Sequence, residues 1–225
     1  MPVRSTDKGT SSQTPRGASI RERIQAHVRD RILLHGFVQI PVDQIASELA
    51  ISKKTFYKAY PSKDRLVEDI VEHFLVEIRT SIESIQRMDI TALEKFQRVM
   101  TLLAQTGSRI GRPFLQDLQR QLPYLWDRIE SFRRERIMNN FGQLFDQGMS
   151  EGHIRPGINR QVFLRGYIGA VEAIVNPNVL MHESFSAREA IQSILEIFFH
   201  GLLTADAGRK LTRLTIRNNQ STMRD

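Results

Sequence analysis

The stretch Pro41–Lys63 reads PVDQIASELAISKKTFYKAYPSK, and its spacing decides how the chain begins to fold. Val42, Ile45, Ala46 and Leu49 recur at the three- and four-residue steps of a helix with one buried stripe. Pro41 suits the first helical position, where a missing amide hydrogen costs nothing. Ala50, Ile51 and Ser52 form a short turn, and the Ser52 hydroxyl is suited to cap the helix that follows. That helix, residues 53–60, turns Phe56 and Tyr60 inward and leaves Lys53, Lys54, Thr55, Tyr57 and Lys58 outside. Pro61 stops it, and Ser62 caps a further helix that starts at Lys63. Taken alone, this is a pair of amphipathic helices with a solvated basic face. It is equally the helix-turn-helix arrangement, in which the second helix enters the DNA major groove.

The flanking residues separate these readings. Ile24, Val28 and Ile32 mark a preceding helix over 20–35 that ends at Gly36, a natural C-terminal cap. Arg21-Glu22-Arg23-Ile24, Gly36-Phe37, Val42-x-x-Ile45-Ala46, Ile51-Ser52-Lys53, Thr55-Phe56-Tyr57 and Tyr60-Pro61-Ser62-Lys63 then follow in one ungapped register over 20–74. In these motifs the chain resembles the N-terminal domain of TetR/AcrR-family transcriptional regulators. The resemblance implies an all-α homodimer that binds a palindromic operator in double-stranded DNA. It further implies that a small-molecule effector, not identified by the sequence, releases the DNA, so that the protein acts as a repressor. An activator, or a DNA-binding protein without an effector, carries the same motifs.

Carried over position by position, the resemblance makes Tyr57, Thr55 and Lys63 phosphate contacts, with Ser52 at the helix start. Lys53, Lys54 and Lys58 are candidates for base edges or phosphates. Three departures from the family pattern stand out. Ile40-Pro41 replaces a hydroxyl residue opening the second helix, Lys54 replaces a small residue, and Ala50 replaces the turn glycine. Ala50 is therefore expected to avoid the left-handed region. His27 and Arg31 take apolar positions of the first helix, loosening the small core or facing outward.

Charge is distributed in the same sense. Residues 1–61 hold ten basic and five acidic side chains, net +5, and residues 205–225 hold five and two, net +3. The chain as a whole carries +7, so the middle is nearly neutral. A polyanionic partner explains a basic end on a neutral body. With no cysteine among 225 residues, disulfides, thiolate metal sites and cysteine nucleophiles are excluded. No apolar run reaches the roughly 20 residues of a membrane span, so no membrane partner is expected and the expected address is the bacterial cytoplasm.

The expected organisation is a disordered basic arm at 1–19, a DNA-binding domain at 20–65 with its helix-turn-helix at 41–60, a helical effector-binding and dimerisation domain at 66–204, and a flexible basic tail at 205–225. From Ser62 a long helix carries the stripe Leu66, Ile70, Phe74, Ile78, Ile82 and Ile85 across both domains. Further helices are expected near 91–107, 113–122, 123–149, 160–175 and 187–203, with a loop at 152–157. The last two are apolar around more than one face. Either one protomer buries them or they pair across a two-fold axis. The resemblance favours pairing, through Phe163, Tyr167, Val171, Ile194, Phe198 and Leu202.

In the segments that line the family's cavity lie Phe96, Met100, Leu103, Phe114, Tyr124, Trp126, Ile129 and Phe141. Trp126 and Tyr124 lead because each has a polar tip, and Arg109, Arg112 and Arg120 are candidates to pair with an anionic ligand. Ordinary core packing accounts for most of these residues equally well. No catalytic constellation is present. The six histidines lack metal-ligand spacing, and GxSxG, P-loop and dinucleotide glycine patterns are absent, so no enzyme activity, metal or cofactor is called for.

Overall fold

Ser19 opens the first helix with a reciprocal cap: its hydroxyl accepts from the Glu22 amide, and the Glu22 carboxylate accepts from the Ser19 amide at 2.6 Å. From there the computed structural model describes residues 19–222, with side chains described as far as 214. Of the expected basic arm at 1–19, Ser19 is this cap and residues 1–18 lie outside the described residues.

The described chain is all α. In order it comprises α1 (Ile20–His35), α2 (Val42–Glu48), α3 (Lys53–Ala59), α4 (Lys63–Arg87), α5 (Ala92–Ser108), α6 (Arg112–Gln121), α7 (Pro123–Arg136), a π turn (Ile137–Phe141), α8 (Gly142–Ser150), α9 (Arg160–Ile174), α10 (Pro177–His182), α11 (Ala187–Leu202) and α12 (Ala205–Thr222). Among the described residues no helix is long and apolar enough to cross a membrane. The loop after α8 is closed by a single bridge between Ile154 and Leu203.

Four local features differ from expectation. Pro41 is the residue before α2, in extended conformation, and α2 starts at Val42 without a side-chain cap. Ala50 sits at φ 52°, inside the left-handed region it was expected to avoid. The turn closes by an Ile51 amide bond to the Ala46 carbonyl at 2.9 Å, and only a positive φ at Ala50 allows it. α10 is too short to carry a period; Asn176 caps it and Pro177 starts it. The expected flexible tail contains α12, whose Ala207 and Leu211 are buried with Leu93, and whose Leu214 carbonyl accepts from the Gln97 amide group at 3.0 Å.

Two apolar clusters fill the interior. The first joins Ile24, Ile32, Ile45, Phe56, Tyr60 and Ile70 of α1–α4 to Phe114, Leu118, Leu122 and Leu125 of α6 and α7. The N-terminal helices therefore do not close their core alone. α6 docks on the end of α1: the Gly111 amide donates to the Leu33 carbonyl at 2.9 Å, and a β-carbon at Gly111 would lie 1.7 Å from the Leu34 oxygen. The second cluster packs α5 against α8, α9 and α11 around Phe96, Phe141, Leu144, Tyr167 and Phe199. α4 runs along both, about 37 Å at 1.5 Å per residue.

Candidate nucleic-acid interface and internal cavity

α3 is held from below and at its start. Phe56 and Tyr60 are fully buried, and the Ser52 hydroxyl accepts from the Thr55 amide at 3.0 Å. Lys53, Lys54, Tyr57 and Lys58 are exposed on its outer side, and Thr55 is half-buried. The Tyr57 ring meets Phe56 edge-on at 5.5 Å, which sets its direction while leaving it 49% exposed. The Lys53 ammonium lies 2.7 Å from Asp43, an exposed pair that solvent weakens.

The turn is oriented from α1. Glu48, at the end of α2, accepts from both Arg31 guanidinium nitrogens at 3.0 and 2.9 Å, contacts His27 at 2.6 Å and accepts from Gln44 at 2.8 Å. The Arg31 bonds, and then His27, pull its carboxyl down to about 2. His27, exposed, and Arg31, half-buried, thus face outward rather than loosen the core, and they clamp α2 onto α1.

Lys63, expected at a phosphate, is engaged within the fold. Its ammonium donates to the carbonyls of Phe37 at 2.9 Å and of Val38 and Ile40 at 3.3 Å. Three donors meet three loop carbonyls in this arrangement.

An apolar cavity of about 150 Å³ lies between α4, α6, α7, α9 and the π turn. Of the expected lining, Leu103, Phe114, Trp126, Ile129 and Phe141 face it. Phe96 is buried behind, 4.5 Å from the Phe199 ring, and Met100 packs against the core without reaching the cavity. Tyr124 points away, 49% exposed, and the hydrogen bond its hydroxyl donates to Glu68 pushes it up to about 12. Arg109 pairs with Glu77 at 2.8 Å, and Arg112 donates to the Glu183 and Phe185 carbonyls, so neither faces the cavity.

Arg133, Asn140, Tyr167 and the α4 residues Phe74, Ile78 and Ile82 also line the cavity, and sequence reasoning missed them. A signal was available: Trp126, Ile129, Arg133 and Ile137 follow steps of three and four, which sets one cation on an apolar face.

The residues expected at a dimer interface are mostly internal. Tyr167, Val171, Ile194 and Leu202 are buried in the protomer's own core, and Phe163 and Phe198 are half-buried with rings 5.9 Å apart. Both helices are apolar on two sides, and the strongest stripe packs inward against α5 and α8. The outward side carries Val162 at 68% and Ile197 at 71% exposure, with Gly166, Gly169 and Gly201 beside them.

No protein-family profile matches the chain. It is 28% identical over 186 residues to the uncharacterised HTH-type transcriptional regulator YvaF of Bacillus subtilis, covering 82% of this chain and 96% of that protein. Its fold is similar to a TetR-family transcriptional regulator from Marinobacter aquaeolei, with TM-score 0.66, 18% identity, and 89% and 98% of the two chains covered. A transcriptional regulator from Cytophaga hutchinsonii aligns with TM-score 0.62 and 16% identity over 81% and 98% of the two chains. Over most of its length the chain is thus similar to a helix-turn-helix transcriptional regulator, and it shares the fold of a TetR-family regulator.

Proposed function

We propose that this regulator is a homodimeric repressor that binds a palindromic operator through α3 and leaves it when a small molecule occupies the cavity. The observation that carries the reading is the outer side of α3. Lys54, Tyr57 and Lys58 stand exposed on a helix whose inner side and start are rigidly fixed. A recognition helix needs this combination, because base and phosphate contacts require side chains held in register with the groove. Lys53 and Thr55 complete the contact surface, and Ser52 fixes the helix start.

The exposed faces of α9 and α11 support self-association, with Val162 and Ile197 as apolar anchors and the glycines allowing close approach. Two-fold pairing would set two α3 helices on successive major-groove faces and require a palindrome. The cavity supports effector release, because two of its walls, α4 and α6, also pack under the helix-turn-helix. A ligand that fits only a displaced α4 or α6 favours a state in which the two α3 helices no longer match the groove spacing. Its place of action is with the chromosome, in the cytoplasm.

Gel shift with the chain's own promoter region tests the reading. The double variant Tyr57→Ala/Lys58→Ala is expected to lose binding while remaining a dimer by light scattering. Full binding by that variant overturns the assignment of α3.

A further inference from the structure

Donors without acceptors stand in the cavity wall. The Arg133 guanidinium donates once, to the Val175 carbonyl at 2.8 Å, and stacks over the Trp126 ring at 5.1 Å. It forms no ion pair among the described residues. Glu130 and Glu172 act on it only from a distance, and Glu172 is held by Arg134 at 2.6 Å. Burial holds Arg133 below its usual range, the mark of a cation that its surroundings do not compensate. Tyr167, 2% exposed, lines the same cavity. Arg133 is a neighbour in that lining. Asn140, further along the same wall and 7% exposed, leaves its side-chain amide nitrogen without a partner. It sits on the π turn, an irregularity that recurs where helices build binding sites.

A half-buried guanidinium facing apolar walls is costly unless an anion meets it. Arg136, paired with Glu83 and Glu135, and Thr106 also line the cavity, and the rest of the wall is hydrocarbon, notably Phe74, Ile78 and Ile82. A phosphate ester would bring a strongly hydrated dianion needing more donors than these. A carboxylate matches a guanidinium fork and one hydroxyl. The volume of about 150 Å³ admits a body the size of one benzene ring or a short alkyl chain. We propose that the cavity takes a compact apolar monocarboxylate, its carboxylate accepting from Arg133 and the Tyr167 hydroxyl and its hydrocarbon lying against α4. The inference rests on the reading of this cavity as the effector site.

Trp126 is the single tryptophan of the chain and lines the cavity, so its fluorescence reports occupancy without DNA. Benzoate and octanoate serve as aryl and alkyl probes, benzamide and octanol as their neutral counterparts, with calorimetry in parallel on the full chain. The carboxylates are expected to bind about tenfold or more tighter than the neutral partners, and the tighter of the two identifies the source as aryl or alkyl. Arg133→Met is expected to remove that preference. Tyr167→Phe, which keeps the packing, is expected to weaken carboxylates by roughly tenfold and leave neutral probes unchanged. Equal affinity for charged and neutral probes, or undiminished carboxylate binding in both variants, overturns the carboxylate inference and leaves the cavity reading standing. If none of the four probes binds, both fall.

Discussion

The Asp117 carboxylate accepts the Phe37 amide at 2.6 Å and, with the same oxygen, the Val38 amide at 2.8 Å. Asp117 stands on α6, one turn beyond the cavity residue Phe114, while Phe37 begins the loop into α2. A movement of α6 therefore reaches the helix-turn-helix through hydrogen bonds as well as packing. Asp117→Ala would orphan both amides and is expected to cost about 2 kcal/mol in denaturant unfolding. It should also blunt ligand-driven release from DNA. An unchanged response would remove α6 from the coupling route.

Ala50 is held at φ 52° without the glycine that suits that region. The left-handed conformation costs a β-carbon roughly 1–2 kcal/mol, and glycine gives back about 0.4–1 kcal/mol through its freer unfolded chain. Ala50→Gly is accordingly expected to stabilise by about 0.5–1 kcal/mol, seen as a higher denaturation midpoint with operator affinity retained.

The Glu48 clamp sets a pH dependence. Its carboxyl titrates near 2 in the folded chain against a usual 4.5, so the native state holds fewer protons in between. The stability it confers is complete above about pH 4.5 and is lost as pH falls toward 2. Because Glu48 is partly solvent-exposed, about 1 kcal/mol or less is at stake. Glu48→Gln is expected to flatten the acid limb of the stability curve, measured by urea unfolding between pH 2 and 5.

Lys58 and Lys63 are expected to behave differently although both are lysines near the proposed DNA-facing side. Lys58→Ala should lower the slope of log affinity against log salt by about 0.9, with folding stability unchanged. Lys63→Met strips three loop carbonyls of their donor and should lower thermal stability while the salt slope holds. A reversed pattern would return Lys63 to the phosphate contacts.

Ile197 tests the assembly. It is 71% exposed on α11, outside the protomer core, so Ile197→Arg should leave the melting of a protomer nearly unaffected while shifting light-scattering mass to that of a monomer. An intact dimer in that variant moves the interface elsewhere.

Local order was legible from the chain alone. The stripe in α2, the inward Phe56 and Tyr60, and the caps at Ser52 and Ser62 are consequences of helix periodicity and short-range hydrogen bonding, and they determined the helix-turn-helix and the basic side of α3. Which way an apolar residue faces when its helix has two apolar sides depends on what packs there, so only the tertiary structure could move Tyr167 and Ile194 from a dimer surface into the core. The same holds for partners distant in sequence. Lys63 meets the carbonyls of the α1–α2 loop, Ala50 is driven left-handed by closure of its turn, and Tyr124 turns out to Glu68 while Arg133 turns in. Period and propensity act over a few residues, whereas the compensation of a charge or a carbonyl is decided by whatever the fold brings beside it.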